Sequence, residues 1–145
     1  MFSKACEYGI RACVVVALNS MENKRISLKE IANSIDSPEA FTAKILQKLV
    51  KHRLIYSIQG SQGGFEMVTV NLKKITLEDI VIAIDGDASF TMCVLGLKEC
   101  SELNPCPAHK KYKQIKSEFK NFVKTTTVLE MVTDLQNGVA CLKID

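Results

Sequence analysis

The chain has 145 residues, 47% of them apolar and 24% charged, with six cysteines and a formal net charge of +3. This profile fits one compact domain with an appended helix and needs no second domain, while the longest purely apolar run, Ala12 to Leu18, is too short to span a membrane. No basic region, apolar stretch and small-residue cleavage site open the chain, so a cytoplasmic location is expected, where clustered cysteines serve metal binding or redox sensing better than disulfides.

In chain order, Ile10, Cys13, Val14, Ala17, Leu18 and Met21 recur at helical spacing and predict a first helix over about Ser3 to Met21. Ala12, Val15 and Val16 widen its apolar stripe, as an obligate dimer would require. Asn23-Lys24-Arg25 reads as a loop. Ser27 and Glu30 then form a capping box that opens a short helix carrying Leu28, Ile31, Ala32 and Ile35. Asp36 makes a tight turn, with Ser37 placed to cap and Pro38 to begin a third helix that reaches about Arg53. Its core face is Phe41, Ile45, Leu46, Leu49 and Val50. Ala40, Ala43, Lys44, Gln47, Lys48 and Lys51 point outward.

Between Ala40 and Phe65 the chain has no Asp or Glu, whereas Lys44, Lys48, Lys51 and Arg53 all fall inside that window. A basic stretch on a folded element suits a surface that neutralises phosphates, although a merely solvated helix face has the same composition. Small alanines flanked by lysines give the third helix a face able to enter a DNA major groove. After Arg53, Leu-Ile-Tyr-Ser-Ile-Gln and Phe65 to Val70 read as two strands of a hairpin, joined by the tip Gly60-Ser61-Gln62-Gly63-Gly64. Glycines let such a tip approach a DNA minor groove or backbone closely. A nucleotide-binding loop fits less well, because no Gly-Lys-Ser/Thr follows and the tip leads into a strand.

Thr76 precedes a helix with the apolar run Ile80 to Ile84, ending near Asp85-Gly86. Residues 87–108 form an irregular cysteine-bearing loop. His109 to about Lys124 is a basic amphipathic helix with Tyr112, Ile115, Phe119, Phe122 and Val123 on its apolar side. A last helix holds Val128, Leu129, Met131, Val132 and Leu135 and stops near Asn137-Gly138. The expected organisation is thus a DNA-binding unit over 1–86, the cysteine loop over 87–108, and a dimerisation helix with a C-terminal helix over 109–145.

The sharpest chemical signal is Cys93-x6-Cys100-x5-Cys106-x2-His109, which puts three thiols and one of the chain's two histidines within seventeen residues. Thiolates and imidazole suit zinc or an iron–sulfur cluster. Structural zinc sites usually begin with ligands two to four residues apart, and the longer gaps here fit a loop around a larger inorganic core. His109 is the first choice of fourth ligand, and Glu7, reaching over from a second subunit, is the alternative. Cys6, Cys13 and Cys141 read as buried small hydrophobes. A redox enzyme or electron carrier would use the same ligands, but the sequence offers no catalytic acid–base pair, nucleotide motif or second cofactor site.

Together these features resemble the Rrf family of bacterial winged-helix regulators, of the IscR and NsrR types. The resemblance covers nearly the whole chain: Ser3 and Glu7-Tyr8-Gly9-Ile10-Arg11-Ala12, Ile31-Ala32, Leu49-Val50-Lys51-His52-Arg53-Leu54-Ile55, the wing Gly60-Ser61-Gln62-Gly63-Gly64-Phe65, and the three cysteines with their histidine. It implies a mainly α fold with a small β-hairpin wing, a winged helix-turn-helix followed by a long dimerisation helix, and a homodimer on a palindromic operator in double-stranded DNA. By the same resemblance Ser3, Lys4, Ser37, Ala40, Ala43, Lys44 and Lys48 face bases or phosphates, and Gln59, Ser61 and Gln62 contact the minor groove or backbone. It implies an iron–sulfur cluster on Cys93, Cys100 and Cys106. His109 matches a 2Fe–2S centre of the IscR type, and Glu7 matches the carboxylate position used for a 4Fe–4S centre in the NsrR type. Two departures stand out: Gln59 replaces the arginine common at that wing position, and the Cys93–Cys100 gap is one residue longer than in IscR. A cluster-free repressor with structural or thiol-sensing cysteines is the alternative within the family.

Overall fold

A computed structural model describes residues 1–144, so Asp145, the last residue of the expected 109–145 segment, lies outside the described residues. The chain is mainly helical with one two-stranded antiparallel hairpin: α1 Lys4–Met21, α2 Leu28–Ser34, α3 Glu39–Lys51, β1 Tyr56–Ile58, β2 Gly64–Glu66, α4 Leu77–Asp85, α5 Ala88–Thr91, α6 His109–Thr125 and α7 Val128–Gln136. Among the described residues no helix is long and apolar enough to cross a membrane.

Helix α1 is the central post. Cys6, Ala12, Cys13, Val14, Val15, Val16 and Ala17 are all buried within the single chain. The width of its apolar stripe is therefore used up by α3, α4, α7 and the hairpin packing around it, and needs no second subunit. Each large aliphatic side chain withdrawn from water in this way contributes about 1.5–3 kcal/mol. Ser3 caps the helix by accepting from Cys6 N.

The expected capping box of α2 is present, with Ser27 Oγ accepting from Glu30 N and Glu30 Oε2 accepting from Ser27 N. Two further boxes start α4 at Thr76/Asp79 and α7 at Thr127/Glu130. Helix α3 departs from expectation at its start. Pro38, in extended geometry, occupies the capping position and no side chain caps the helix. The buried Thr42 Oγ1 instead donates to Pro38 O, and the Ser37 hydroxyl bonds to Thr42 Oγ1 at 3.0 Å rather than capping the helix. The turn before it is tight because Asp36 adopts φ +53°.

The hairpin is shorter than its β-branched composition suggests, pairing Tyr56 with Glu66, Ser57 with Phe65 and Ile58 with Gly64. The second strand stops at Glu66 because Met67 N turns to Ser20 Oγ on α1, at 2.9 Å, and Thr69–Asn71 then winds into a 3-10 turn. Ile26, at the end of the α1–α2 loop, exchanges two backbone hydrogen bonds with Phe65 and flanks the hairpin as a third rung.

Helix α7 folds back onto α1. Its start is laced to the segment before α4 by Leu77 N to Thr126 O, Val128 N to Ile75 O and Leu129 N to Leu72 O. Helix α6 is held by Phe119, whose ring lies 5.4 Å from Phe2 and 6.3 Å from the buried Phe90 of α5. The remaining apolar side chains of α6 are not all covered: Ile115 is 55% and Phe122 48% exposed.

Candidate nucleic-acid interface and cysteine loop

Helices α2 and α3 meet across four residues, and α3 presents Ala40 and Lys44 to solvent with Ala43 half-buried beside them. Wing residues Gln59, Ser61 and Gln62 are exposed. A groove of about 340 Å³ runs between the two elements, lined by Ala43 and Gln47 of α3, by Ser57 of β1 and Gln59 just beyond it, and by Leu28 and Phe65 at its floor. The helix and the wing thus project from the same side of the molecule. Helical spacing puts Gln47 on the outward face of α3, and the tertiary fold sets it at the wing groove.

The wing tip is rigidly built. A Cβ added at Gly63 would run into Ile58 O, and one at Gly64, where φ is +136°, would sit 2.9 Å from Ile26 O. Only glycine fits both positions. Arg25 pins the tip from the opposite flank, with Nε 2.9 Å from Glu66 Oε2 and Nη1 donating to Gln62 O at 3.1 Å.

The other expected contact residues have partners within the chain. Ser3 Oγ donates to Asp85 Oδ1 and its backbone N to Asp85 Oδ2. Lys4 Nζ lies 3.5 Å from Glu7 Oε2 and 5.2 Å from the Tyr8 ring. Lys48 is exposed, and its Nζ donates to Ile84 O at 3.2 Å.

In the cysteine loop the donors come as two pairs. Cys100 Sγ stands 3.5 Å from His109 Nδ1. Cys93, buried just after α5, has the backbone N–H groups of Leu95 and Leu97 and the Cys106 side chain around its thiol, while Gly96 N donates to Cys93 O at 3.0 Å. The hydrogen bonds from Leu95 and Leu97 hold the Cys93 thiol below the usual range for cysteine, since each favours the thiolate. Among the described residues no three His, Cys, Asp or Glu side chains converge on a point able to hold one metal ion. Three thiols, an imidazole and N–H groups directed at sulfur nevertheless match in kind the donors of an iron–sulfur centre, which spans more space than a single ion.

The other cysteines divide. Cys6 and Cys13 are buried as expected, and burial pushes the Cys6 thiol up to about 12, with the nearby Asp85 carboxylate adding to the shift. Cys13 is raised by burial as well. Cys141, expected to be buried, is exposed, because the chain beyond α7 carries only Leu142 back against the core.

A short helix, a tight turn, a second helix with a small-and-basic outer face and a glycine-tipped hairpin beside it define a winged helix-turn-helix protein, the architecture of transcriptional regulators. The chain belongs to the Rrf2 family, described as iron-dependent transcriptional regulators, whose match covers residues 2–134. A protein of Aquifex aeolicus bearing the name of an HTH-type transcriptional regulator is 36% identical over 135 residues, 91% of each chain. The HTH-type transcriptional regulator IscR of Vibrio parahaemolyticus is 25% identical over 127 residues, 88% of this chain and 74% of that one. In fold, the chain is similar to CymR, the global cysteine regulator of B. subtilis, with TM-score 0.74 and 23% identity over 92% of this chain and 96% of that one. It is also similar to T. potens IscR, with TM-score 0.72 and 19% identity over 97% and 92%. The chain is therefore a transcriptional regulator and not an enzyme.

Proposed function

We propose that the protein binds a palindromic site in double-stranded DNA as a homodimer, and that the state of its cysteine loop sets its affinity. The observation that carries this reading is the shared groove that sets Ala43 and Gln47 of α3 against Ser57 and Gln59 of the wing arm, with Ala40 and Lys44 exposed on the same helix. Ala40, Ala43 and Lys44 read base edges or nearby phosphates, joined by Ser37 at the turn. Gln59, Ser61 and Gln62 follow the minor groove or backbone, and Ser3 and Lys4 lie toward phosphate at the start of α1. The uncovered Ile115 and Phe122 of α6, together with exposed Met92, Val94, Leu95 and Leu97 of the loop, supply an apolar surface for a second copy.

Cys93, Cys100 and Cys106, with His109 as fourth ligand, would hold an iron–sulfur cluster, 2Fe–2S by the match of His109 or 4Fe–4S with Glu7 of a second copy in its place. Such a centre supplies reactivity toward oxidants or nitric oxide. The chain's own part is to order the segment that joins α4 to α6, so that two loop states present the recognition helices differently. An affinity ratio worth a few kcal/mol between the states is enough for a switch.

A second reading, thiol sensing without a cluster, is favoured by the Cys93 thiol, which the backbone N–H groups of Leu95 and Leu97 hold below the usual range; it is in line with the likeness to a global cysteine regulator. Anaerobic purification separates the two. Visible absorption with iron and acid-labile sulfide in matching amounts supports the cluster, whereas a colourless protein with reactive thiols supports sensing. For DNA, a salt-dependent gel shift that is lost on Lys44→Glu is expected, and unchanged binding would overturn the placement of α3.

A further inference from the structure

We propose that Lys48 is a positioning residue, which locks the recognition helix to the C-terminus of α4, rather than a phosphate contact. This rests on the DNA-binding reading above and deepens it.

Three observations converge on the last turn of α4. Its final carbonyls have no partner further along the helix, because Gly86 at φ +74° breaks the run, and Lys48 Nζ satisfies one of them at Ile84. A lysine at a helix C-terminus is also favoured by the negative end of the dipole. The neighbouring Asp85 holds Ser3 through both of its carboxylate oxygens, tying the start of α1 to the same point. Finally, Ile84 and Ile45 both press on Gly9, so that α1, α3 and α4 touch at a single place.

Lys48 is suited to this task by its place on the helix. Five residues beyond Ala43, it lies about 140° around α3 from the side that faces the wing, at the far margin of the solvent face. Lys44 and Lys51 lie nearer the middle. The bond to Ile84 O draws the Lys48 ammonium toward α4, at the margin farthest from the side of α3 that faces the wing. Because the cysteine loop begins at residue 87, two residues after Asp85 ends α4, the same knot fixes the recognition helix relative to the loop's first residues.

The test compares Lys48→Met and Lys44→Met in the full chain, on a fluorescent duplex that the wild-type protein selects from a randomised pool. Failure of the wild type to select any duplex would sink the DNA reading itself and is distinct from the outcomes for Lys48. Lys48→Met is expected to weaken binding about fivefold, as for loss of one hydrogen bond, with the slope of log affinity against log salt unchanged. In the free protein it should speed amide exchange over 86–90. Lys44→Met is expected to lower the slope by about one per subunit and leave exchange unaltered. A slope lowered by Lys48→Met with exchange at the wild-type rate would identify Lys48 as a phosphate contact and overturn the proposal, as would wild-type affinity.

Discussion

Gly9 of α1 faces Ile84 of α4 so closely that a Cβ built on the glycine would lie 3.0 Å from Ile84 Cγ1 and 3.2 Å from its Cδ1, with Ile45 of α3 at 3.5 Å on the other side. A single methyl needs Ile84 to give by a few tenths of an ångström, and α1 regains helix propensity in return. A branched side chain at this place meets both isoleucines. Gly9→Val is therefore expected to destabilise the fold by about 2 kcal/mol through overpacking, read as a lower urea midpoint with the slope unchanged.

Arg53 closes α3 in the left-handed region at φ +57°, where Arg53 N donates to Val50 O and Leu54 N to Leu49 O. This is the helix-ending geometry that normally takes glycine. The strain of about 1–2 kcal/mol for a side chain there exceeds the entropy cost of about 0.5–1 kcal/mol that glycine brings. Arg53→Gly should accordingly stabilise the protein by up to about 1 kcal/mol, seen as a higher melting temperature. A decrease would show that the arginine side chain makes a compensating contact.

Acid sensitivity follows from the capping boxes. Glu30 and Glu130 accept hydrogen bonds from the backbone and hydroxyl groups at Ser27 and Thr127, which lower both carboxyls from their ordinary value of 4.5. A group whose folded value is depressed contributes stability that is fully present above its unfolded value and is lost as pH falls through the folded one. Urea midpoints should hold steady from neutral pH to about 5.5 and fall below about 4.5. In a Ser27→Ala, Thr127→Ala double variant the neutral-pH stability should be lower by about 1 kcal/mol per cap, and the acid-induced loss should be smaller. An unaltered acid profile in that variant would place the sensitivity elsewhere.

Thiol reactivity should follow burial and environment. Brief treatment of the metal-free native protein with iodoacetamide at neutral pH is expected to label the exposed Cys141 and to spare Cys6 and Cys13, whose thiols are buried and held protonated. Labelling of Cys13 before unfolding would mean that the core opens locally on the timescale of the reaction.

The wing should depend on Arg25. Its bridge to Glu66 is partly exposed and worth little to global stability, so Arg25→Ala should leave the melting temperature within a degree or two. Freed from the Gln62 carbonyl, however, the tip should lose order, read as faster amide exchange at Gln62 to Gly64. Full protection at the tip would show that Gly63 and Gly64 alone fix its shape.

The chain's amino acids determined, by themselves, what local physics decides: helical apolar periodicity in α1, α3 and α4, the Ser27 box, the turn at Asp36, the glycine-tipped hairpin and the clustering of Cys93, Cys100, Cys106 and His109 within seventeen residues. Each follows from spacing along the backbone, which requires no knowledge of distant neighbours. Only the tertiary structure decided that Lys48 meets Ile84, that Ser3 meets Asp85, that Ser20 ends the second strand at Met67, and that the broad stripe of α1 is consumed within one chain. These contacts join residues 36 to 82 positions apart, and their partners are chosen by how the helices cross. Cys141 is the converse case: its apolar character suggested the core, yet exposure depends on where the chain goes after α7, and composition does not encode that path.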